Sequence, residues 1–232
     1  MLGIIGAMDS EVQELKNEMP DAKITSVAGM DFYEGHIHDK DVVVVKCGIG
    51  KVNAAICTQI LADRYKVDSV INTGVAGSLN SDIDICDIVI SKDAIEHDMD
   101  VTALGYERGV IPDMDNSVFH SDSRLIDVAV KSIEEANLSV KVFTGRVVSG
   151  DQFISDNGTK AALVKDYNGY CAEMEGASMA QVATLNKIPF VIIRAISDKA
   201  DNSAPVAYET FEEQAIVHTV KLLAAMFLKM SK

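Results

Sequence analysis

The sequence predicts an α/β fold with a mixed, mostly parallel sheet, and three observations carry that prediction. Short apolar runs rich in Val and Ile have strand length, as in Leu2 to Gly6, Val42 to Val45 and Phe190 to Ile193. Segments with helical spacing of apolar residues alternate with them. The runs are continuous rather than alternating, which marks strands covered on both faces by helices.

Taken in order, Leu2 to Gly6 reads as a short buried strand. Asp9-Ser10 is expected to cap the helix that follows, with Gln13 three residues past Ser10 as a capping box requires. Val12 and Leu15 share its apolar face, and it stops before Pro20. Lys23 to Ala28, Phe32 to His38 and Val42 to Lys46 are strands, separated by turns at Gly29 and Asp39-Lys40. The Gly48-Ile49-Gly50 turn opens a helix from Lys51 to Tyr65. Val70 to Thr73 and Ile88 to Ser91 are strands, the second after the acidic turn Ser81 to Asp87. Residues 98–120 are irregular and contain Gly105, Gly109 and Pro112; so long an irregular stretch is expected to act as a lid or an interface. Ser123 to Ala136 is helical, Val140 to Val148 extended, and Thr159 to Lys165 helical. Glu175 to Leu185 is a helix, Phe190 to Ala195 a buried strand, and Tyr208 to Lys229 a long terminal helix. The four prolines are scattered, and no linker tract or internal repeat divides the chain, so residues 1–232 are expected to form one domain.

Composition narrows the function. The chain has 232 residues with 21 basic and 35 acidic side chains, a net charge of −14. That charge argues against a general nucleic-acid binder, which needs a basic surface. With 48% hydrophobic and 24% charged residues the chain is an ordinary globular one, not a disordered one. No apolar run reaches the roughly 18 residues of a membrane span. Met1 to Gly6 has no basic start and no cleavage pattern, so no signal peptide is expected. Cys47, Cys57, Cys86 and Cys171 show no CxxC pairing, which suits free, buried thiols in a reducing cytoplasm.

In open α/β sheets ligands bind beyond strand ends, in the loops that lead to helices. Those loops here are Gly6-Ala7-Met8-Asp9-Ser10-Glu11, Cys47-Gly48-Ile49-Gly50-Lys51, Thr73-Gly74-Val75-Ala76-Gly77-Ser78, Ser149-Gly150-Asp151-Gln152-Phe153, Glu173-Met174-Glu175-Gly176 and Arg194-Ala195-Ile196-Ser197-Asp198. They combine small residues, several carboxylates, one Arg and one aromatic, a set suited to a polyhydroxylated, partly apolar ligand. Gly48-Ile49-Gly50 is not a dinucleotide fingerprint, because Asn53 stands where the third glycine belongs. Nor is Gly50-Lys51 a phosphate loop, since Val45 and Val52 occupy its other key positions. His97-Asp98 with Asp100 lacks a second His at ligand spacing, so no metal is expected. Taken alone, Glu173 and Glu175 also read as acids at a helix start, and Arg194 with Asp198 as a surface ion pair.

Taken together, these loops resemble the 5'-methylthioadenosine/S-adenosylhomocysteine nucleosidases of the purine nucleoside phosphorylase-like superfamily. The likeness covers nearly the whole chain. It runs through Gly3-Ile4-Ile5-Gly6-Ala7-Met8, Gly48 to Ala55, Ile71-Asn72-Thr73-Gly74, His97-Asp98, Val101-Thr102-Ala103, Val148-Ser149-Gly150-Asp151, Glu173 to Ser178 and Arg194 to Asp198. It implies a nucleoside phosphorylase-like, three-layer α/β/α fold with a central mixed sheet. It also implies a homodimer without cofactor that hydrolyses the glycosidic bond of these nucleosides and releases adenine.

The resemblance assigns roles. Asp198 matches the acid that protonates N7 of adenine, with Ser197 orienting its carboxyl group. Glu11 matches the residue that activates water, with Arg194 orienting that arrangement, and Glu175 matches the carboxylate that binds the ribose hydroxyls. Phe153 matches the residue that packs on adenine, and Ile154 the one whose backbone reads its edge. Met8, Ile49, Val75, Val101, Glu173, Met174 and Tyr208 match positions around the sugar and the 5' pocket. Leu104, Tyr106 and Pro112 match positions that complete the partner subunit's pocket. Val75 departs from a frequent serine, and Leu104 and Tyr208 from frequent phenylalanines; all three changes touch the sugar or the 5' pocket. Relatives with Val75 and Gln152 include some that also cleave 6-amino-6-deoxyfutalosine. A phosphorylase of the same superfamily needs positive donors for phosphate, whereas the first loop here carries Glu11. A non-catalytic nucleoside sensor would have no need of Glu11, Asp198, Glu175 and Arg194 together.

Overall fold

The computed structural model describes residues 1–133, 135–136 and 138–230. In chain order the elements are β1 (Leu2–Gly6), α1 (Asp9–Asn17), β2 (Lys23–Val27), β3 (Met30–Ile37), β4 (Lys40–Lys46), α2 (Lys51–Ile60), β5 (Ser69–Ser78) and β6 (Ile88–Glu96). Then come β7 (Phe119–His120), α3 (Ser123–Ser132), β8 (Val142–Ser149), α4 (Asn157–Tyr167), β9 (Cys171–Glu173), α5 (Gly176–Leu185), β10 (Phe190–Asp198) and α6 (Ala204–Met230).

The sheet is mixed, and helices cover both of its faces. Alternate side chains of the same strands divide between two cores, as the period of a strand requires. Ile5, Val43 and Val45 pack beneath Cys57 and Leu61 from the α2 side and Met179 of α5. Ile4, Val42 and Val44 pack beneath Val12 and Leu15 of α1, Ala129 of α3, and Leu222 and Phe227 of α6. Each fully buried Val, Leu or Ile contributes about 1.5–3 kcal/mol, so both layers are held by burial rather than by surface charge. α4 closes a third, smaller cluster with Leu163 and Tyr167 against Ile95 and Val148.

The sheet does not simply run from edge to edge. β5 pairs with β10, β10 with β6, β6 with β8, β8 with β9, and β9 back with β5. Five strands thereby close a ring, and β1, β4, β3 and β2 extend from β5 as an open wing. β10 is buried along all nine residues because it has a partner on both sides and helix α6 packed against it.

Several boundaries differ from the sequence reading, each for a physical reason. Helix α1 is not capped by Ser10: it starts at Asp9 with extended Met8 as its N-cap, and Glu11 supplies the returning carboxylate. Thr73 to Ser78 and Ala195 to Asp198 are strand, not loop, because β5 and β10 continue to pair through the small residues Gly74, Ala76 and Gly77. β9 is a three-residue strand that closes the ring, too short to show a period. After Ile60, helix α2 widens into a π turn over Leu61–Tyr65 and ends at Lys66 in the left-handed region. α3 ends at Ser132 rather than Ala136, and Glu134 of the expected helix lies outside the described residues. Residues 98–118 are irregular apart from a single 3-10 turn, Thr102–Leu104. Among the described residues no helix is long and apolar enough to cross a membrane.

Candidate active site

The ends of β1 and β4 face the junction of β5, β9 and β10, and there the chain encloses a cavity of about 540 Å³. Met8 and Glu11 come from the start of α1, Ile49 from the turn after β4, and Val75 to Gly77 from β5. Phe153 follows β8, Glu173 to Glu175 link β9 to α5, Ser197 and Asp198 end β10, and Tyr208 and Glu209 lie near the start of α6.

Glu11 is 3% exposed, and both of its oxygens are engaged. Oε2 accepts from the backbone N–H of Ala7 (2.6 Å) and Met8 (3.0 Å), and Oε1 from that of Val75 (3.1 Å). A side chain at Gly74 would bring its Cβ within 2.9 Å of Glu11 Cδ and closer still to Oε1, so a glycine is what admits the carboxylate. Burial raises the Glu11 pKa above the ordinary carboxylate value, opposed by the charge of Arg194 and by these N–H groups.

Glu175 takes the N–H of Gly50 on Oε1 at 2.8 Å. Gly50 has φ +98°, a conformation that glycine adopts without strain, and this turn is what aims its N–H at α5. Burial first, then the charge of Glu173, push Glu175 up to about 8. Glu173 itself is saturated by protein donors: Ser149 Oγ, the Arg194 guanidinium, and the N–H groups of Glu175 (3.2 Å) and Gly176 (2.8 Å).

Arg194 is 1% exposed. Besides Glu173, it donates to the Asn72 side-chain oxygen at 2.6 Å and to the backbone carbonyls of Asn72 and Ile193. Burial opposes its charge, but Glu173, Glu11 and Glu175 outweigh it, and its pKa stands above the ordinary guanidinium value. It reaches Glu11 through its field rather than through a hydrogen bond.

Asp198 sits on a bulge. Ile196 pairs with Ala76 and Asp198 with Gly77, which leaves Ser197 without a partner and lets two consecutive residues face the cavity. Asp198 Oδ2 accepts from Ser197 Oγ (2.9 Å) and Oδ1 from the N–H of Ala200 (2.7 Å). Burial raises its pKa, and those two donors moderate the rise.

The apolar wall completes the cavity. Phe153 meets Tyr208 edge-on, with ring centroids 5.8 Å apart, and the Tyr208 hydroxyl lies 3.4 Å from Met8 Sδ. Ile154 lines a small adjoining recess with Gly77, Ala172 and Asp198. Thus Met8, Glu11, Ile49, Val75, Phe153, Glu173, Met174, Glu175, Ser197, Asp198 and Tyr208 converge on one cavity, with Arg194 directly behind them. Val101, Leu104, Tyr106 and Pro112 stand outside the lining of this chain's cavity, in the irregular segment after β6. Leu104 is 75% exposed. Sequence reasoning missed Asn72 and Ser149, which hold Arg194 and Glu173, and also Pro205 and Glu209 at the rim. Asn72 and Ser149 stood inside quoted motifs; nothing local marked the other two. Among the described residues no group of His, Cys, Asp and Glu has the arrangement to hold a metal ion.

The phosphorylase superfamily profile matches residues 1–229. A protein of Exiguobacterium named 5'-methylthioadenosine/S-adenosylhomocysteine nucleosidase is 42% identical over 226 residues, covering 97% of this chain and 96% of its own. The structure of such a nucleosidase from Colwellia psychrerythraea, in complex with adenine, superposes with a TM-score of 0.93 at 40% identity, covering 97% of this chain and 93% of that one. The Neisseria meningitidis nucleosidase in complex with methylthio-immucillin-A gives 0.93 at 36% identity, covering 97% of both chains. A futalosine hydrolase of Helicobacter pylori gives 0.91 at 31% identity, covering 97% of this chain and 96% of that one.

Proposed function

The chain belongs to the phosphorylase superfamily and, within it, to the 5'-methylthioadenosine/S-adenosylhomocysteine nucleosidases, and from that premise we propose that it hydrolyses the N-glycosidic bond of these two nucleosides. The products are adenine and the corresponding 5'-thioribose.

One observation carries the choice of hydrolysis. Among the described residues, the cavity lining holds five carboxylates (Glu11, Glu173, Glu175, Asp198 and Glu209) and no Lys, Arg or His. Arg194 lies behind the wall with its terminal nitrogens engaged by Glu173 and Asn72. A phosphate nucleophile would find no cationic side chain there to receive it, whereas a sugar passing through a cationic transition state is stabilised by carboxylates. Asp198, whose pKa burial raises, delivers a proton to N7 of the leaving adenine. Glu11 holds and deprotonates the attacking water on the opposite side, and its backbone donors fix the carboxylate. Arg194 keeps three neighbouring carboxylates from repelling one another apart. Glu175 accepts from the ribose hydroxyls and, in its ionised form, balances the growing positive charge at C1. Phe153 packs on the base, backbone groups of Ile154 read its edge, and Met8, Ile49, Val75, Glu173, Met174 and Tyr208 surround the sugar and the 5' group.

The enzyme works as a homodimer in which Leu104, Tyr106 and Pro112 complete the partner's 5' pocket, while Val101 lies beside the sugar and the 5' group. Exposed Leu104 and Tyr106, with exposed Ile49, Val52 and Ile56, support that reading. All four cysteines are free and buried, which supports a cytoplasmic setting. The reaction belongs to methionine salvage and to the recycling of S-adenosylmethionine by-products. The likeness to the futalosine hydrolase supports aminofutalosine as a further proposed substrate, and 5'-deoxyadenosine is proposed beside it. Asp198→Asn tests the assignment of the acid. Adenine release from methylthioadenosine is expected to fall by about 10²–10⁴-fold while calorimetry still detects nucleoside binding; undiminished turnover would remove Asp198 from the role.

A further inference from the structure

A second group of charged residues lies just outside the cavity wall and has no part in the chemistry above. Lys51, the first residue of α2, extends its ammonium between two carboxylates, Asp98 at 2.7 Å and Glu96 at 3.1 Å. Asp98 also takes the N–H of Asp151 on its other oxygen, at 3.0 Å. Asp151 in turn accepts the backbone N–H of Lys51 at 2.8 Å. The three residues therefore form a closed loop of contacts, Lys51 side chain to Asp98, Asp98 to Asp151, and Asp151 back to the Lys51 main chain. Ser178 of α5 adds a fourth hold, its hydroxyl lying 3.1 Å from the Lys51 carbonyl and 2.8 Å from that of Glu175.

The peptide immediately before this loop supplies the Gly50 N–H that reaches Glu175. Two residues after Asp151 the chain places Phe153 against the cavity. The same loop of contacts thus pins the turn that positions the ribose carboxylate and the segment that carries the aromatic wall. Lys51, Asp98 and Glu96 are largely buried as side chains, with exposures of 19%, 18% and 7%, so their attraction is less screened than that of a surface pair.

We propose that Lys51, Asp98 and Asp151 are positioning residues for catalysis, a clamp that holds the Gly50 N–H on Glu175 and fixes the approach of Phe153. This rests on the nucleosidase reading above. Glu175 is faced by Glu173, Glu11, Arg194 and Cys47. Of the groups that favour its ionised form, Arg194 acts by its field and the Gly50 N–H acts by contact, and the clamp controls the second. Loosening the clamp removes that donor and leaves Glu175 easier to protonate.

The test uses Lys51→Met, which removes the cation but keeps an apolar stem, and Asp151→Ala, with Lys51→Arg as the conservative control. For both clamp-breaking variants kcat/KM with methylthioadenosine is expected to fall about tenfold. The acid limb of its pH profile is expected to move to higher pH, and Lys51→Arg to restore both. Thermal unfolding is measured alongside. A lowered midpoint with kcat/KM and the acid limb both within about twofold of the wild type overturns the proposal, because the residues would then support only the fold. If Lys51→Met does not fold, Asp151→Ala carries the same comparison. A wild-type protein that releases no adenine overturns the nucleosidase reading, and the clamp's role with it, which separates that failure from an active wild type with unaffected variants.

Discussion

Replacing Glu175 by glutamine is expected to make the free protein more stable while nearly abolishing turnover. In an unfolded chain this carboxyl ionises near 4.5; in the fold, burial and Glu173 carry it to about 8. At pH 7 folding must therefore hold a proton that the unfolded chain has released. Each pKa unit corresponds to about 1.4 kcal/mol, so the gap between 4.5 and pH 7 costs the fold about 3 kcal/mol. The sign is that of an acid whose folded pKa is raised. The cost is absent below pH 4.5, grows as pH rises, and levels off above the folded value. Glutamine keeps an oxygen for the Gly50 N–H and does not ionise in either state, so the variant escapes most of that cost. For a chain of this size the gain corresponds to an unfolding midpoint raised by about 5–10 °C at pH 7, shrinking to less than about 1 kcal/mol at pH 5. Calorimetric scans at the two pH values measure it, and adenine release measures the loss of activity. An unchanged midpoint at pH 7, or a gain of equal size at both pH values, would refute the reasoning that burial strains this carboxylate.

Gly74→Ala places a methyl group against Glu11, so kcat is expected to fall by about 10²-fold through displacement of the carboxylate; steady-state kinetics with an unchanged circular dichroism spectrum checks it. Arg194→Leu leaves Glu173 buried without its cation and is expected to lose about 3–5 kcal/mol in urea denaturation. A loss below about 1 kcal/mol would mean that the ion pair contributes as little as a surface one.

Much of this site was legible because its chemistry lies in short segments whose composition is unusual for a core. Small residues beside carboxylates, as in Gly6 to Glu11 and Glu173 to Gly176, mark close backbone approaches to an anionic side chain, and the glycine contacts at Gly74 and Gly77 bear that out. What stayed hidden depends on distant pairing. Asn72 and Arg194 meet across 122 residues, and Ser149 reaches Glu173 across 24; neither separation has a period to betray it. The bulge at Ser197 is invisible for the same reason, since only the register against Ala76 and Gly77 reveals it. Ser10 looked like the cap of α1 because serine usually fills that position, yet a glutamate one residue later does the satisfying. The clamp of Lys51, Asp98 and Asp151 joins three loops read as separate in sequence, and only their folding together shows one device.

The nature of the nucleophile is the central claim, and product analysis tests it most directly. The protein is incubated with methylthioadenosine in phosphate-free buffer and again with phosphate added, and the sugar product is identified by mass. A cavity lined by carboxylates and by no cationic side chain predicts free adenine and methylthioribose at the same rate in both buffers. Methylthioribose 1-phosphate formed only when phosphate is present would contradict it, and would take from Glu11 the task of holding water.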